Sequence, residues 1–159
     1  MNGTPKPAAS AFGRLLDYPD TRYYPEQRLL TWHPQGVLDA DKAQYMARWL
    51  GTVEPELGLF DRFADLSHIS GINLTVSDVC AIAEIRAEDY KGTRVTTVFF
   101  VSSPLSYAVA AMYQQLMAET PIRIEVVVLL SAACHLLGVG PELLIYSPQR
   151  SSSRADPPA

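Results

Sequence analysis

The sequence predicts an α/β fold: a mostly parallel sheet of about four to five strands, with an N-terminal antiparallel β-hairpin at its edge and about four helices. Strand-like and helix-like hydrophobic periods alternate between residues 17 and 146. Residues 93–101 (TRVTTVFFV) form a β-branched and aromatic run that is typical of a buried parallel strand. Strands that alternate with amphipathic helices form parallel sheets, because each right-handed crossover carries its helix back over the sheet.

The hairpin is predicted at the start of the domain. Residues 22–24 and 28–31 are short β-favouring runs, and a turn signal at residues 25–27 separates them. We expect the second strand to continue to about Leu38. Pro34 would then lie at an edge or a bulge, because proline cannot donate to a strand ladder.

The first helix is predicted to begin after Asp39 and to run to about Val53. Asp39 is a favourable N-cap, and Pro55 and Gly58 are expected to end the helix. Its apolar residues recur at helical spacing and predict one buried face. The residues of that face are Ala43, Met46, Ala47 and Leu50.

A strand, a loop and a second helix are predicted next. Residues 59–66 favour the strand and residues 67–74 the loop. Thr75 and Asp78 have the spacing of a capping box, and Gly92 marks the end of the helix that they open. The residues expected on its inner face are Val76, Val79, Cys80 and Ala83.

The rest of the domain is predicted as strand, helix, strand and helix. Residues 93–101 form a central strand covered on both faces, and Ser103, followed by proline, caps the third helix. Residues 122–130 form the last strand, and Ser131 caps a short helix before Gly138. The apolar stripe that we assign to the core side of the third helix is Leu105, Ala108, Val109, Met112, Leu116 and Met117.

This order of elements, with residues 36–39 (GVLD) and 63–69 (FADLSHI), resembles the STAS domains of anti-sigma-factor antagonists. It is more closely similar to the SpoIIAA-like family of small bacterial proteins, whose function is largely unassigned. The resemblance covers about residues 22–138 and implies this fold and a binding role. STAS antagonists carry an Asp-Ser-Ser-Gly segment with a phosphorylatable serine, whereas residues 73–76 here read NLTV. The family's phosphoserine motif is therefore missing.

Thr75 is the one hydroxyl residue left in that segment and is a candidate phosphorylation site. A phosphate at a helix N-terminus would be stabilised by free N–H groups and by the helix dipole. A threonine at this position is equally suited to be a plain helix cap. The sequence leaves both interpretations open.

Composition argues against several classes of partner. The 159 residues carry 13 basic and 17 acidic side chains, a net charge of −4, without a basic cluster that would bind nucleic acid or an anionic membrane. No stretch reaches the roughly 18 apolar residues of a membrane span, so we predict a cytoplasmic protein. Residues 17–146 are predicted to be a single domain, and residues 1–16 and 147–159 to be disordered.

No residues have the spacing of a metal or catalytic site. His33, His68 and His135 do not pair at metal-ligand spacing, and no nucleophile elbow, P-loop or dinucleotide turn is present. We therefore predict no metal, no cofactor and no enzymatic activity. Cys80 and Cys134 are expected to be buried free thiols, with one disulfide as the alternative.

A candidate ligand-binding rim lies at the carboxyl ends of the predicted strands. Ligands of open parallel sheets bind there, because helix N-termini converge at that edge. Hydroxyl groups beside helix N-termini would suit a small anion or polar ligand, although serine is also the commonest N-cap. The residues of this rim are Ser67, His68, Ser102, Ser103 and Ser131.

A candidate interface lies on the third helix, because residues 102–118 carry no charge. Small, aromatic and amide side chains opposite the predicted core stripe suit packing against another chain. Coverage by the N-terminal segment of the same chain is the alternative. The candidate interface residues are Tyr107, Ala110, Ala111, Gln114 and Ala118, with Tyr45 and Trp49 on the first helix.

Three functions follow from these features. We predict a non-catalytic protein-interaction or regulatory module that self-associates as a homodimer or binds a protein partner. The alternative is a carrier or sensor of a small polar ligand or lipid that uses the serine-lined rim. An enzyme is the third possibility, and it would need a nucleophile and a base in contact at the rim.

Overall fold

The computed structural model describes residues 19–148. The predicted disorder of residues 1–16 and 149–159 lies outside the described residues. Ser147, which the sequence assigns to the disordered tail, accepts a hydrogen bond at its carbonyl oxygen from Arg22 Nη2 at 3.0 Å.

Strands and helices alternate along the described chain. The strands are β1 (Thr21–Tyr24), β2 (Leu29–Trp32), β3 (Gly36–Asp39), β4 (Asp61–Asp65), β5 (Ile69–Asn73), β6 (Val95–Phe100) and β7 (Ile122–Val127). The helices are α1 (Ala40–Leu57), α2 (Val76–Asp89), α3 (Pro104–Leu116) and α4 (Leu130–Leu137), with short 3-10 turns at Leu66–His68 and Pro141–Leu143.

A five-stranded sheet in the order β1-β2-β4-β6-β7 forms the centre of the protein. β1 and β2 pair antiparallel as the predicted hairpin, and the other neighbours pair parallel. β6 lies between β4 and β7, which confirms the prediction that residues 93–101 supply a central strand. The predicted class, a mostly parallel α/β sheet with an antiparallel edge, is therefore correct.

β3 and β5 form a second, two-stranded parallel sheet that the sequence did not predict. The expected continuation of the second hairpin strand to about Leu38 is wrong, because β2 ends at Trp32 and the chain turns before β3. Pro34 lies in that turn and has no N–H to extend the ladder, and Gly36 begins β3 with a φ of 70°. The expected loop over residues 67–74 is also wrong, because β5 lies within it.

The N-terminal caps follow the predicted chemistry. Asp39 Oδ1 accepts a hydrogen bond from the Lys42 amide at 2.9 Å. Thr75 and Asp78 form both hydrogen bonds of a capping box, and Ser103 caps α3. These caps depend on residues within one turn of each other, which is why the sequence reveals them.

Two helix ends differ from the prediction. α1 passes through Pro55, which lies in its last turn, and ends at Gly58, whose φ is 76°. Ser131 does not cap α4: Leu129 holds the N-cap position without a side-chain hydrogen bond, and Ser131 lies inside the first turn. Gly138 ends α4 in the left-handed conformation, as predicted, with a φ of 66°.

The inner faces of α2 and α3 are only partly those predicted. Val79 and Ala83 of α2 are buried, but Val76 is 65% exposed because it follows the cap at the surface. On α3, Leu105 is 56% exposed and Leu116 43%, although the sequence assigns both to the core. Met117 and Val109, which the sequence assigns to the core, do pack inward, whereas Ala108 is exposed. Ser106, Ala110 and Tyr113 also pack inward, although they lie outside the predicted stripe.

The five-stranded sheet separates two layers of helix. We call its two sides the α4 face and the three-helix face. The buried cluster of the α4 face consists of Leu29, Phe63, Val98, Val127, Ala133 and Leu144. The three-helix face carries Leu30, Arg62, Thr97 and Ile122 beneath α1, α2 and α3.

Cys80 and Cys134 are free thiols and are partly buried. Among residues 19–148, no helix combines the length and the apolar character that crossing a membrane requires.

Candidate functional site

The rim residues follow strands that end at the same edge of the main sheet. Asp65 of β4 pairs in register with Phe100 of β6, which pairs with Val127 of β7. Ser67 and His68 follow β4, Ser102 and Ser103 follow β6, and Ser131 lies in α4 after β7. All five predicted rim residues therefore lie after neighbouring parallel strands.

Two of the rim hydroxyls already have partners within the chain. Ser67 Oγ donates to Asp65 Oδ1 at 2.5 Å, and Ser103 Oγ donates to Ser106 Oγ at 2.8 Å. The Asp65 carboxylate also accepts from the Ser67 amide at 2.9 Å, which is a local turn of the Asx kind. These contacts fix the backbone at the ends of β4 and β6.

Asp65 is the centre of a polar cluster that the sequence did not predict. Its Oδ2 lies 3.4 Å from His68 Nε2 and 3.8 Å from His33 Nε2. His33 Nε2 hydrogen-bonds to the carbonyl oxygen of Leu144 at 2.9 Å, and the Tyr146 ring lies against both histidines, 5.4 Å from His33 and 5.1 Å from His68. The cluster therefore joins β2, β4 and the segment after α4. Within the described residues, no group of His, Cys, Asp or Glu could hold a metal ion.

Thr75 is exposed, and its hydroxyl has a structural partner. Its Oγ1 accepts from the Asp78 amide at 3.1 Å, and Asp78 Oδ2 accepts from the Thr75 amide at 2.8 Å. A phosphate on Thr75 would lie beside the Asp78 carboxylate, whose negative charge would oppose it.

The candidate interface residues of α3 divide between surface and core. Tyr107 is 50% exposed and Ala118 is exposed, while Ala111 is half-buried. Gln114 Nε2 donates to the Ile124 carbonyl oxygen at 2.7 Å. Ala110 is 3% exposed and packs in the core, so its placement on the outer side of α3 is a wrong prediction.

On α1, Tyr45 and Trp49 also differ in exposure. Tyr45 is 62% exposed, whereas Trp49 packs against the buried cluster of Leu30, Val53 and Phe60. Of this pair, only Tyr45 presents most of its side chain to the surface.

A cavity of about 130 Å³ lies on the three-helix face of the main sheet. Apolar side chains from β2, β6 and all three helices line most of it. Thr97 and Tyr113 add hydroxyl groups, and burial raises the pKa of Tyr113 to about 12, so its hydroxyl is neutral near pH 7. Other lining residues include Leu30, Ala47, Leu50, Ile82, Phe99 and Val109.

A buried charge cluster of Glu54, Arg62 and Arg86 borders this cavity. Glu54 Oε2 accepts hydrogen bonds from Arg62 Nη2 and, at 2.6 Å, from Arg86 Nη2. The exposed fractions of the three residues are 8%, 5% and 2%. Burial lowers the pKa of Arg62, and the neighbouring Glu54 carboxylate opposes that shift. Both arginines line the cavity.

The sequence does not reveal this cluster, because its members come from α1, β4 and α2. Glu54 lies 8 residues from Arg62 and 32 from Arg86 in the sequence. One signal was available: Arg62 is a basic residue inside a predicted strand of the sheet, where a charge has to be paired if it is buried.

The fold and these sites define an α/β domain whose sheet is covered by helices on both faces. No model of a known protein family matches the chain. No curated protein matches it. Among solved structures, the chain is similar to an uncharacterized protein of the DUF3478 family, with a SpoIIAA-like fold, from Shewanella loihica. The two are 15% identical over 69% of this chain and 83% of that chain, with a TM-score of 0.43. The similarity assigns no activity, partner or ligand to this chain.

Proposed function

We propose that the protein is a cytoplasmic, non-catalytic interaction module that self-associates through an exposed apolar stripe of α3, without the STAS phosphoserine motif. The sequence assigns the residues of this stripe to the core, so the stripe differs from the interface predicted around Tyr107 and Ala111. The observation that supports this is an apolar stripe at helical spacing on the side of α3 away from the core. Leu105 is 56% exposed, Ala108 is exposed, Met112 is half-buried and Leu116 is 43% exposed. A monomer would leave this stripe in water, whereas a partner helix would bury it.

A second copy of the same chain is the partner that fits this surface best. Residues 102–118 carry no charge, so two copies of α3 can meet across a two-fold axis without bringing like charges together. Tyr107 flanks the stripe, and aromatic residues are enriched in protein interfaces.

The rim offers less support for the alternative, a small polar ligand. The hydroxyls of Ser67 and Ser103 are hydrogen-bonded within the chain, and a ligand would have to displace those contacts. Ser67 Oγ does meet a carboxylate, that of Asp65, but within a local turn, and among the described residues no histidine hydrogen-bonds to Ser67. The serine therefore lacks the histidine base that usually activates a serine nucleophile.

The test is the oligomeric state of Ala108→Glu, measured by sedimentation velocity. We expect a native dimer at about 100 μM, and a monomer for the variant because a buried charge opposes association. Ala87→Glu is the matched control, since Ala87 is exposed on α2, outside the stripe. It should remain dimeric.

A monomeric native protein, or a dimer that survives Ala108→Glu, contradicts the proposal. A native monomer that dimerises only when residues 1–18 are removed would show that the N-terminal segment covers the stripe instead. Circular dichroism on each variant separates loss of association from loss of folding.

A further inference from the structure

We infer that the cavity on the three-helix face binds a small carboxylate with an apolar body, and that Arg62 recognises the carboxylate group. This would be a ligand site inside the domain, separate from both the rim and the α3 surface. Three observations support it: the size and lining of the cavity, the net charge of the cluster beside it, and an unused donor on Arg62.

The cavity is large enough for a small organic molecule. Its volume is about 130 Å³, close to that of an engineered apolar cavity of about 150 Å³ that binds benzene. Its lining is mostly aliphatic and aromatic, with Leu50, Ile82 and Phe99 among the contributors. An apolar body of about six carbons matches this space.

The charge beside the cavity is not balanced. Arg62 and Arg86 share the single carboxylate of Glu54, which leaves one excess positive charge among buried groups. Removing a charge from water is unfavourable unless an opposite charge accompanies it. A bound anion would supply that missing charge.

Arg62 also has a buried donor without a partner in the described part of the chain. Its Nη1 donates to the Phe60 carbonyl oxygen at 3.2 Å and its Nη2 to Glu54, whereas its buried Nε has no hydrogen-bond partner among residues 19–148. Buried donors without partners are rare in native proteins, and a bound water or ion that accepts from the donor is one of the explanations for them. The second oxygen of Glu54, Oε1, also lacks a partner there, and its negative charge would repel a second carboxylate. The ligand carboxylate should therefore meet Arg62 at Nε, and because Nε is fully buried the Arg62 side chain must shift toward the cavity to reach it.

The experiment compares hexanoate with 1-hexanol by isothermal titration calorimetry at pH 7. The two probes share an apolar chain and differ in charge. We expect hexanoate to bind the native protein at least about tenfold more tightly, since hydrogen bonds to charged groups are the stronger ones. Equal affinity, or no binding of either probe, would overturn the inference.

Arg62→Met tests the role of the arginine. The substitution leaves Glu54 and Arg86 as a neutral buried pair, so we expect a folded protein that binds both probes equally. Arg94→Met, at an exposed position, is the matched control and should keep the preference for hexanoate. If the variant still prefers hexanoate, a group other than Arg62 binds the carboxylate of the probe, and the inference is overturned.

A second variant covers the case in which Arg62→Met does not fold. Ala47 lines the cavity on α1, and Ala47→Leu would fill part of it with side-chain atoms. Binding of both probes should then fall by about tenfold or more, because about three added carbons occupy the ligand's space. Undiminished binding to this variant would place the ligand outside the cavity and contradict the inference.

Discussion

The two faces of the main sheet are built in opposite ways. On the α4 face, Phe63 and Val98 are 1% and 0% exposed and pack against Ala133 and Leu144, both 0% exposed. On the three-helix face, the same strands present Arg62 and Thr97 beside a cavity of about 130 Å³. The α4 face is filled by apolar side chains, whereas the three-helix face contains buried charged groups and a cavity.

This difference indicates where stability and where function reside. Dense apolar packing is the usual way for a core to stabilise a fold, and the α4 face follows it. Buried arginines and a cavity both reduce stability relative to a filled apolar core. Features that lower stability concentrate at functional sites, which favours the three-helix face as the binding side.

The largest predicted difference between the faces concerns charge. Glu54→Gln removes the carboxylate that Arg62 and Arg86 share and leaves two buried guanidinium groups without a counter-charge. We expect the free energy of unfolding to fall by about 3–5 kcal/mol, measured by urea denaturation at pH 7.

Glu88→Gln is the control for this substitution, because Glu88 is exposed on α2. It should change the unfolding free energy by no more than about 0.5 kcal/mol. If Glu54→Gln were as mild as its control, the three-helix face would not carry an effective buried charge, and the contrast between the faces would disappear.

Packing gives the next prediction. Ala133 on α4 and Ala47 on α1 are both buried helical alanines, with exposed fractions of 0% and 3%. Ala133→Leu should lower the unfolding free energy by about 1–3 kcal/mol, since a filled core must distort to admit added carbons. Ala47→Leu should be less costly, because the cavity can accept the side chain. Equal losses in thermal or urea unfolding would show that the cavity face is packed as tightly as the α4 face.

The sequence predicts a structural feature well when the residues that form it are close together in the chain. The caps at Asp39, Thr75 and Ser103 involve residues within one turn, and β6 has a composition that favours a buried strand by itself. β3 and β5 are short, and they pair with each other although α1 and β4 lie between them in the chain, so their separate sequences give weak signals.

The candidate sites are harder to predict, because they too depend on contacts between residues that are distant in the sequence. α3 carries no charge, and a helix without a charged side does not show from its apolar period which stripe faces the core. The sequence therefore predicts Leu105 and Leu116 on the core side, whereas both are exposed. The buried charge cluster depends on contacts between residues far apart in the chain, such as Glu54 and Arg86. Only the tertiary structure brings them together.

The smallest predicted change in unfolding free energy concerns the N-terminal caps of the helices on the two faces. The Thr75 side chain caps α2, which covers the three-helix face, whereas Ser131 of α4 makes no capping hydrogen bond. Thr75→Ala should lower the unfolding free energy by about 1 kcal/mol, because it leaves the Asp78 amide without its acceptor. Ser131→Ala, the matched loss of a hydroxyl, should stay within about 0.5 kcal/mol of the native protein in the same urea titration. If the two losses were equal, the capping box at Thr75 would have no stabilising role, and its hydroxyl would be more readily available for modification.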